Sequence, residues 1–156
     1  MISRRSFLAQ TAGLGAALAG GRSLWAAAAA TDPMTMTIYM SPTCGCCAKW
    51  VDHVKAAGFK TVVHEEEDMD TVKDSLGVPR DMRSCHTAQV EKYLIEGHVP
   101  AQDIKTLLTK KPDAAGLAAP GMPASSPGMA VPGEPHQPYD VVLFRRDGSS
   151  EVFARR

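Results

Sequence analysis

The 156-residue chain has no apolar stretch long enough to hold it in a membrane, no acidic residue among its first thirty positions, and no basic stripe beyond them. Each absence removes a class of protein. A membrane-spanning helix needs about 20 consecutive apolar residues, and the weakly apolar segment from Phe7 to about Gly20 is shorter and rich in glycine. The first thirty residues carry Arg4, Arg5 and Arg22 without a counter-charge, so the formal net charge of zero misrepresents the rest. From position 31 onward 14 basic residues face 17 acidic ones, a net of −3. Such a domain lacks the electrostatic footprint of a nucleic-acid binder.

What stands at the N-terminus has the order of a targeting segment. Ser3-Arg4-Arg5-Ser6-Phe7-Leu8 opens it, the Gly/Ala-rich stretch follows, and small residues fill Ala26 to Ala30. A charged start, an apolar middle and a small-residue end describe a cleaved signal peptide. Paired arginines before Phe7-Leu8 point to twin-arginine export. The expected organisation is a signal over 1–30, cleaved near Ala28 to Ala30, and one domain over 31–156. That domain would be periplasmic and free of a membrane anchor, with enough residues for a single core.

Within the domain, Thr35 to Met40 alternates and is rich in β-formers, predicting a strand that Ser41-Pro42-Thr43 ends. A helix is predicted from about Cys46 to Ala57, with Cys47, Trp50, Val51 and Val54 on one face and His53 on the solvated face. Gly58 suits the position past its end. A second strand follows over Lys60 to Glu65. Asp68 then caps a short helix whose face is Met69, Val72 and Leu76, stopped by Gly77 and Pro79. Ser84 to Val90 and Tyr93 to Val99 read as extended, with a turn at Gly97, and Pro100 to Lys110 as a helix carrying Ile104, Leu107 and Leu108 inward. Residues 112–138 hold seven of the eleven prolines and four glycines and read as an irregular Gly-Met loop. Tyr139 to Arg145 and Glu151 to Ala154 flank Asp147-Gly148, a hairpin signal. The fold class this predicts is α/β: a thioredoxin-like α/β sandwich with a central mixed sheet, a C-terminal hairpin and a long Pro/Gly/Met loop.

The chemistry is in sulfur. An even number of cysteines, four, in an exported chain raises disulfides before metals. Cys44-Gly45-Cys46-Cys47 falls where a strand hands over to a helix, whose N-terminal N–H groups and partial positive charge favour a thiolate. The two-residue gap between Cys44 and Cys47 lets both sulfurs meet at one point. Cys85-His86 is the second element. No proline adjoins Ser84-Cys85-His86, where a thioredoxin-like oxidoreductase carries its substrate-clamping proline, and a thiol with an imidazole there favours a metal site over thiol exchange. An internal echo, Pro120-Gly121-Met122 and Pro127-Gly128-Met129, lies in the irregular segment. Thioethers are soft donors suited to Cu(I), although a flexible linker with incidental methionines accounts for them nearly as well. Met40 reads as a strand-end core residue, Trp50 as core, His64 and His136 as exposed. His98 is divided evenly between a metal and a structural role.

Three blocks, Tyr39-Met40-Ser41-Pro42-Thr43-Cys44-Gly45-Cys46-Cys47, Ser84-Cys85-His86-Thr87-Ala88 and Ile95-Glu96-Gly97-His98-Val99-Pro100, resemble the CopG-type periplasmic copper-resistance proteins. The Gly-Met loop from Gly116 to Met129 and the closing hairpin match as well, so the resemblance runs from about Thr35 to the end. It implies a thioredoxin-like fold and copper bound by the cysteines with help from His and Met. It also implies a role in copper tolerance, including conversion of copper between its two oxidation states. The metal ligands it points to are Cys44, Cys46, Cys47, Cys85, His86, Met122 and Met129, with copper ions and other periplasmic copper-handling proteins as partners. Two other readings stay open. One is a thiol-disulfide oxidoreductase attacking through Cys44 and resolving through Cys47. The other is a domain merely braced by disulfides such as Cys44–Cys47 and Cys46–Cys85.

Overall fold

A computed structural model describes residues 34–156 of the chain. The signal expected over 1–30 and the first residues of the domain expected after it lie outside the described residues. Ten regular elements follow in order. These are β1 (Thr35–Met40), α1 (Gly45–Ala56), β2 (Lys60–Glu65), α2 (Met69–Leu76), β3 (His86–Val90), β4 (Tyr93–Gly97), α3 (Ala101–Lys110), β5 (Gly116–Ala119), β6 (Asp140–Phe144) and β7 (Ser150–Arg155). The seven strands form one mixed sheet in the order β2-β1-β3-β4-β5-β6-β7. β1 and β2 are parallel and joined through α1, while β1–β3 and β3–β4 are antiparallel. No helix among the described residues is long and apolar enough to cross a membrane.

Strand alternation sorts the core into two faces. On one, Met36, Ile38 and Met40 of β1, Ala88 and Val90 of β3, and Tyr93 and Ile95 of β4 meet Cys47, Trp50, Val51 and Val54 of α1 and Ile104, Leu107 and Leu108 of α3. The helical faces predicted for α1 and α3 are the faces buried. On the other, Leu94, Ala118 and Phe144 pack with Val78 and Met82 from the stretch after α2.

Three local expectations are corrected. Residues 112–138 are not wholly irregular, because β5 lies inside them, fully buried and hydrogen-bonded between β4 and β6. Gly-Leu-Ala-Ala carries little β propensity of its own, and only its two neighbours make it a strand. A Cβ at Gly116 would fall 1.8 Å from the Leu94 carbonyl oxygen, so that close approach requires glycine. On α2 the buried residue is Lys73, whereas Met69, Val72 and Leu76 stay half-buried. The turn near β4 is not at Gly97. Glu91 and Lys92 alone connect Val90 to Tyr93, and Glu91 takes the left-handed φ of 50° that such a turn demands. Gly97, at φ 69°, closes β4 instead.

Trp50 ties the first helix to this hairpin. Its indole N–H donates to the Val99 carbonyl at 2.9 Å, one residue beyond His98, and both groups are buried. Trp50→Phe keeps most of the packing but leaves that carbonyl without its partner, so unfolding in urea should show a loss of about 1–3 kcal/mol. A loss below about 0.5 kcal/mol would mean that water satisfies the carbonyl and that the tie is unimportant.

Candidate metal centre

The mouth of α1 presents three of the four cysteines. β1 ends at Met40, and the Cys44 N–H donates to the Ser41 carbonyl at 3.1 Å, turning the chain into the helix. Cys44 is the residue preceding the helix, and Cys46 and Cys47 fall in its first turn, which contains no acidic side chain. N–H groups unpaired at that end therefore face the sulfurs with partial positive charge. The inward face of α1 sets their orientation. Cys47 is fully buried, while Cys44 and Cys46 are half-buried. Cys44 and Cys47 are joined by a disulfide, with Cα atoms 5.3 Å apart, and Cys46 and Cys85 are free thiols. The Cys46 sulfur lies 3.5 Å from that of Cys44.

The fourth sulfur arrives through the β3–β4 hairpin. Pairing of Val90 with Tyr93 and of Thr87 with Glu96 continues outward to set Cys85 across from His98. Cys85 Sγ lies 3.0 Å from His98 Nε2 and 3.3 Å from His86 Nδ1. The two imidazoles meet edge to face with centroids 5.1 Å apart, and His86 also packs on Trp50 at 4.3 Å. The four cysteine sulfurs all lie within 4.8 Å of one another. So do the ligating atoms of Cys47, Cys85, His86 and His98. Two quartets thus overlap at Cys47 and Cys85.

The surroundings hold Cys85 and the two imidazoles neutral in the absence of a cation. His98 Nδ1 lies 2.7 Å from the Pro127 carbonyl, which can only accept, so the ring proton sits on Nδ1 and the Nε2 lone pair faces Cys85. Burial lowers His98 and holds His86 well below the ordinary imidazole value. His86 Nε2 is buried without a hydrogen-bond partner among the described residues. Burial, followed by the charge of Cys46, pushes the Cys85 thiol up to about 11. At neutral pH Cys85 is therefore a protonated thiol, and a cation binding its sulfur must displace that proton.

The remaining candidates occupy different places. The second Pro-Gly-Met echo packs on the helix mouth: at Gly128, φ 88°, a Cβ would lie 2.9 Å from both Cys46 O and Trp50 N and 3.2 Å from His98 Nδ1. Met129 beside it is half-buried and lines a cavity of about 430 Å³ that also contains Ser125, Val131 and His136. The first echo is more open, with space around Gly121 and Met122 44% exposed. Met40 belongs to the core. His53 is not merely solvated, because its Nε2 accepts the Ala101 N–H at 3.0 Å and so caps α3. His64 is exposed and stacks on Tyr39, and His136 is exposed. His98, which the predicted ligand set did not include, is brought beside Cys47, Cys85 and His86. Its signal was present in the two-residue gap between Val90 and Tyr93, which in a tight hairpin places position 98 opposite position 85.

A family model described as "Protein of unknown function, DUF411" matches residues 82–129, which include Cys85, His86, His98 and both Pro-Gly-Met units. Two solved structures, named copper resistance protein copG Form 1 and Form 2, are each 44% identical to this chain. Each match covers 80% of this chain and 98% of the other, with TM-scores of 0.74 and 0.75 respectively. No curated protein matches.

The neutral imidazoles give the metal-free protein a defined acid limb. His86 and His98 bind protons less readily when folded than in the unfolded chain, where the ordinary value is about 6.5. Their folded form is therefore undisturbed above that value and loses stability as pH falls below it, by up to about 1.4 kcal/mol per pH unit for each group. The melting temperature should hold between pH 8 and 7 and decline below 6.5, and His86→Phe should flatten the decline. Equal slopes in the two proteins would contradict the neutral burial of His86. Alkylation provides a second measure: with the Cys44–Cys47 disulfide intact, Cys85 should react at pH 8 more slowly than a free-peptide thiol by about a hundredfold, following its raised thiol value.

Proposed function

The chain belongs to the family of copper resistance protein CopG, and we propose that it is a periplasmic copper-binding protein of copper tolerance that holds Cu(I) in a cluster of thiolates. In this reading, residues 1–30 are a twin-arginine signal that is cleaved on export, and residues 31–156 form the working domain. The observation that carries the reading is convergence: sulfurs from positions about forty apart lie within 4.8 Å of one another and beside two neutral imidazoles. Thiolate and thioether donors select Cu(I), and imidazole accepts copper as well. Cys44, Cys46, Cys47 and Cys85 supply bridging thiolates. His86 and His98 supply nitrogens, and Met122 and Met129 supply thioethers from the loop. Two overlapping quartets suit more than one ion.

The Cys44–Cys47 disulfide is the metal-free, oxidised form in this scheme. A dithiol donor delivers two electrons, its own sulfurs join as a disulfide, and Cys44 and Cys47 are released as thiolates. Copper then displaces the Cys85 proton. The same pair is a two-electron couple, and copper changes oxidation state by one electron, so one disulfide–dithiol turnover balances two copper ions. A thioredoxin-like core is supported by the β2-β1-β3-β4 order, with a strand-helix-strand unit preceding a hairpin and helix. Other periplasmic copper carriers are the natural partners.

A disulfide at a helix mouth favours one competing reading, a thiol-disulfide oxidoreductase working through Cys44 and Cys47. Cys85 and His86 stand against it, because they fill with ligands the place where such an enzyme clamps its substrate.

Competition for Cu(I) against a strong chromogenic chelator tests the proposal. Reduced protein should win the metal, Cys85→Ser should weaken binding by about tenfold or more, and changing all four cysteines to serine should abolish it. Equal Cu(I) binding by the four-serine protein would refute the assignment. Insulin reduction without copper tests the alternative, and activity there would move the enzyme reading ahead.

A further inference from the structure

Behind the centre, on the opposite face of the sheet, lies a buried ion pair that none of the copper chemistry uses. Lys73 of α2 is 3% exposed, and Glu96 of β4 and Thr87 of β3 are fully buried. Lys73 Nζ donates to Glu96 Oε1 at 2.5 Å and to Thr87 Oγ1 at 2.9 Å, and the Thr87 hydroxyl donates to Glu96 Oε2 at 2.6 Å. Glu96 Oε1 accepts one more bond, from the Ser84 backbone N–H at 2.6 Å. Taking two charges out of water is unfavourable unless every lone pair and proton finds a partner, and a buried pair is weak evidence for stability by itself. An apolar residue at position 73 would cover the sheet without that penalty.

The location of the partners gives the pair its role. Ser84 and Thr87 bracket Cys85-His86, and Glu96 lies two residues before His98. One carboxylate therefore holds both ends of the segment that carries Cys85 and His86 while belonging to the strand that presents His98. Gly97 of the same strand packs closely on Ser84: a Cβ there would fall 2.5 Å from the Ser84 Cβ and Oγ. We propose that Glu96, locked by Lys73 and Thr87, is the positioning residue that fixes Cys85 and His86 against His98, so that the ligands are set before a cation arrives. This rests on the copper reading for its consequence, but the positioning itself is a property of the metal-free protein. Groups of this kind that orient ligands characteristically change metal affinity by about ten- to a hundredfold when removed.

The test compares two double variants, each free of an unpaired buried charge. Lys73→Met with Glu96→Gln retains an amide oxygen for the Ser84 N–H and an amide donor for Thr87. Lys73→Met with Glu96→Leu removes the acceptor altogether. In reduced, metal-free protein the leucine variant should alkylate at Cys85 about tenfold faster or more, through local opening of the segment, while the glutamine variant stays within about threefold of the parent. Cu(I) affinity should follow the same order. A purely structural role would lower urea stability in the leucine variant and leave the alkylation rate of the folded fraction unchanged, and that result overturns the proposal. Thr87→Val, which removes one arm at nearly equal shape, covers the case in which the leucine variant does not fold. It should raise the Cys85 rate two- to fivefold, by our estimate from partial loss of the orienting bonds, and no change in it would also overturn the proposal. Because alkylation needs no metal, its failure counts against the positioning alone, whereas loss of Cu(I) binding in the parent protein would count against the copper reading.

Discussion

The site depends on the register of one hairpin. Glu91 and Lys92 leave Val90 opposite Tyr93, and from there every pair outward is determined, until Cys85 stands across from His98 at the open end. A slip of one residue would send His86 to the face occupied by Thr87 and would bury a hydroxyl where an imidazole now meets Trp50. Register is also secured chemically at both ends. Glu96 binds Thr87 and the Ser84 amide, and the Trp50 indole binds the Val99 carbonyl just beyond the strand. The first helix, the hairpin and the sheet's far face are therefore coupled through a few directional bonds, and apolar packing alone would not define them so narrowly.

Sulfur and nitrogen at this point are held in a state suited to a soft cation. The centre is partly buried, and neither quartet among the described residues includes a carboxylate. Burial keeps the imidazoles neutral and Cys85 protonated, while the helix mouth lends partial positive charge to Cys44, Cys46 and Cys47. The hairpin releases the Cys85 proton only to a cation that bonds sulfur strongly. The Pro127 carbonyl completes the arrangement by fixing the His98 tautomer, which places the Pro-Gly-Met loop in direct contact with that imidazole.

Much was legible in the chain before folding. The alternation over Thr35–Met40, the apolar face of Cys47, Trp50, Val51 and Val54, and the Asp147-Gly148 turn are short-range signals, and short-range physics suffices to read them. The cysteine motif identified itself by spacing and by its place at a strand-to-helix junction. Lys73 escaped notice because periodicity favours Met69, Val72 and Leu76, and only a carboxylate brought from β4 makes burial of an ammonium tolerable. β5 escaped because Gly-Leu-Ala-Ala is a strand only by virtue of the strands beside it.

By itself the sequence determined which donors are soft, which three sit together on one helix turn, and that a thiol and an imidazole travel as a pair, since these are properties of neighbours in the chain. The tertiary structure decided which of the five histidines join the sulfurs, which Pro-Gly-Met unit packs on the helix mouth, and that a charge pair stands behind the centre. Ligand geometry depends on distances between strands and on the hydrogen bonds that hold them. Those are set by pairing across the sheet, where residues far apart in sequence must satisfy one another's polar groups at once.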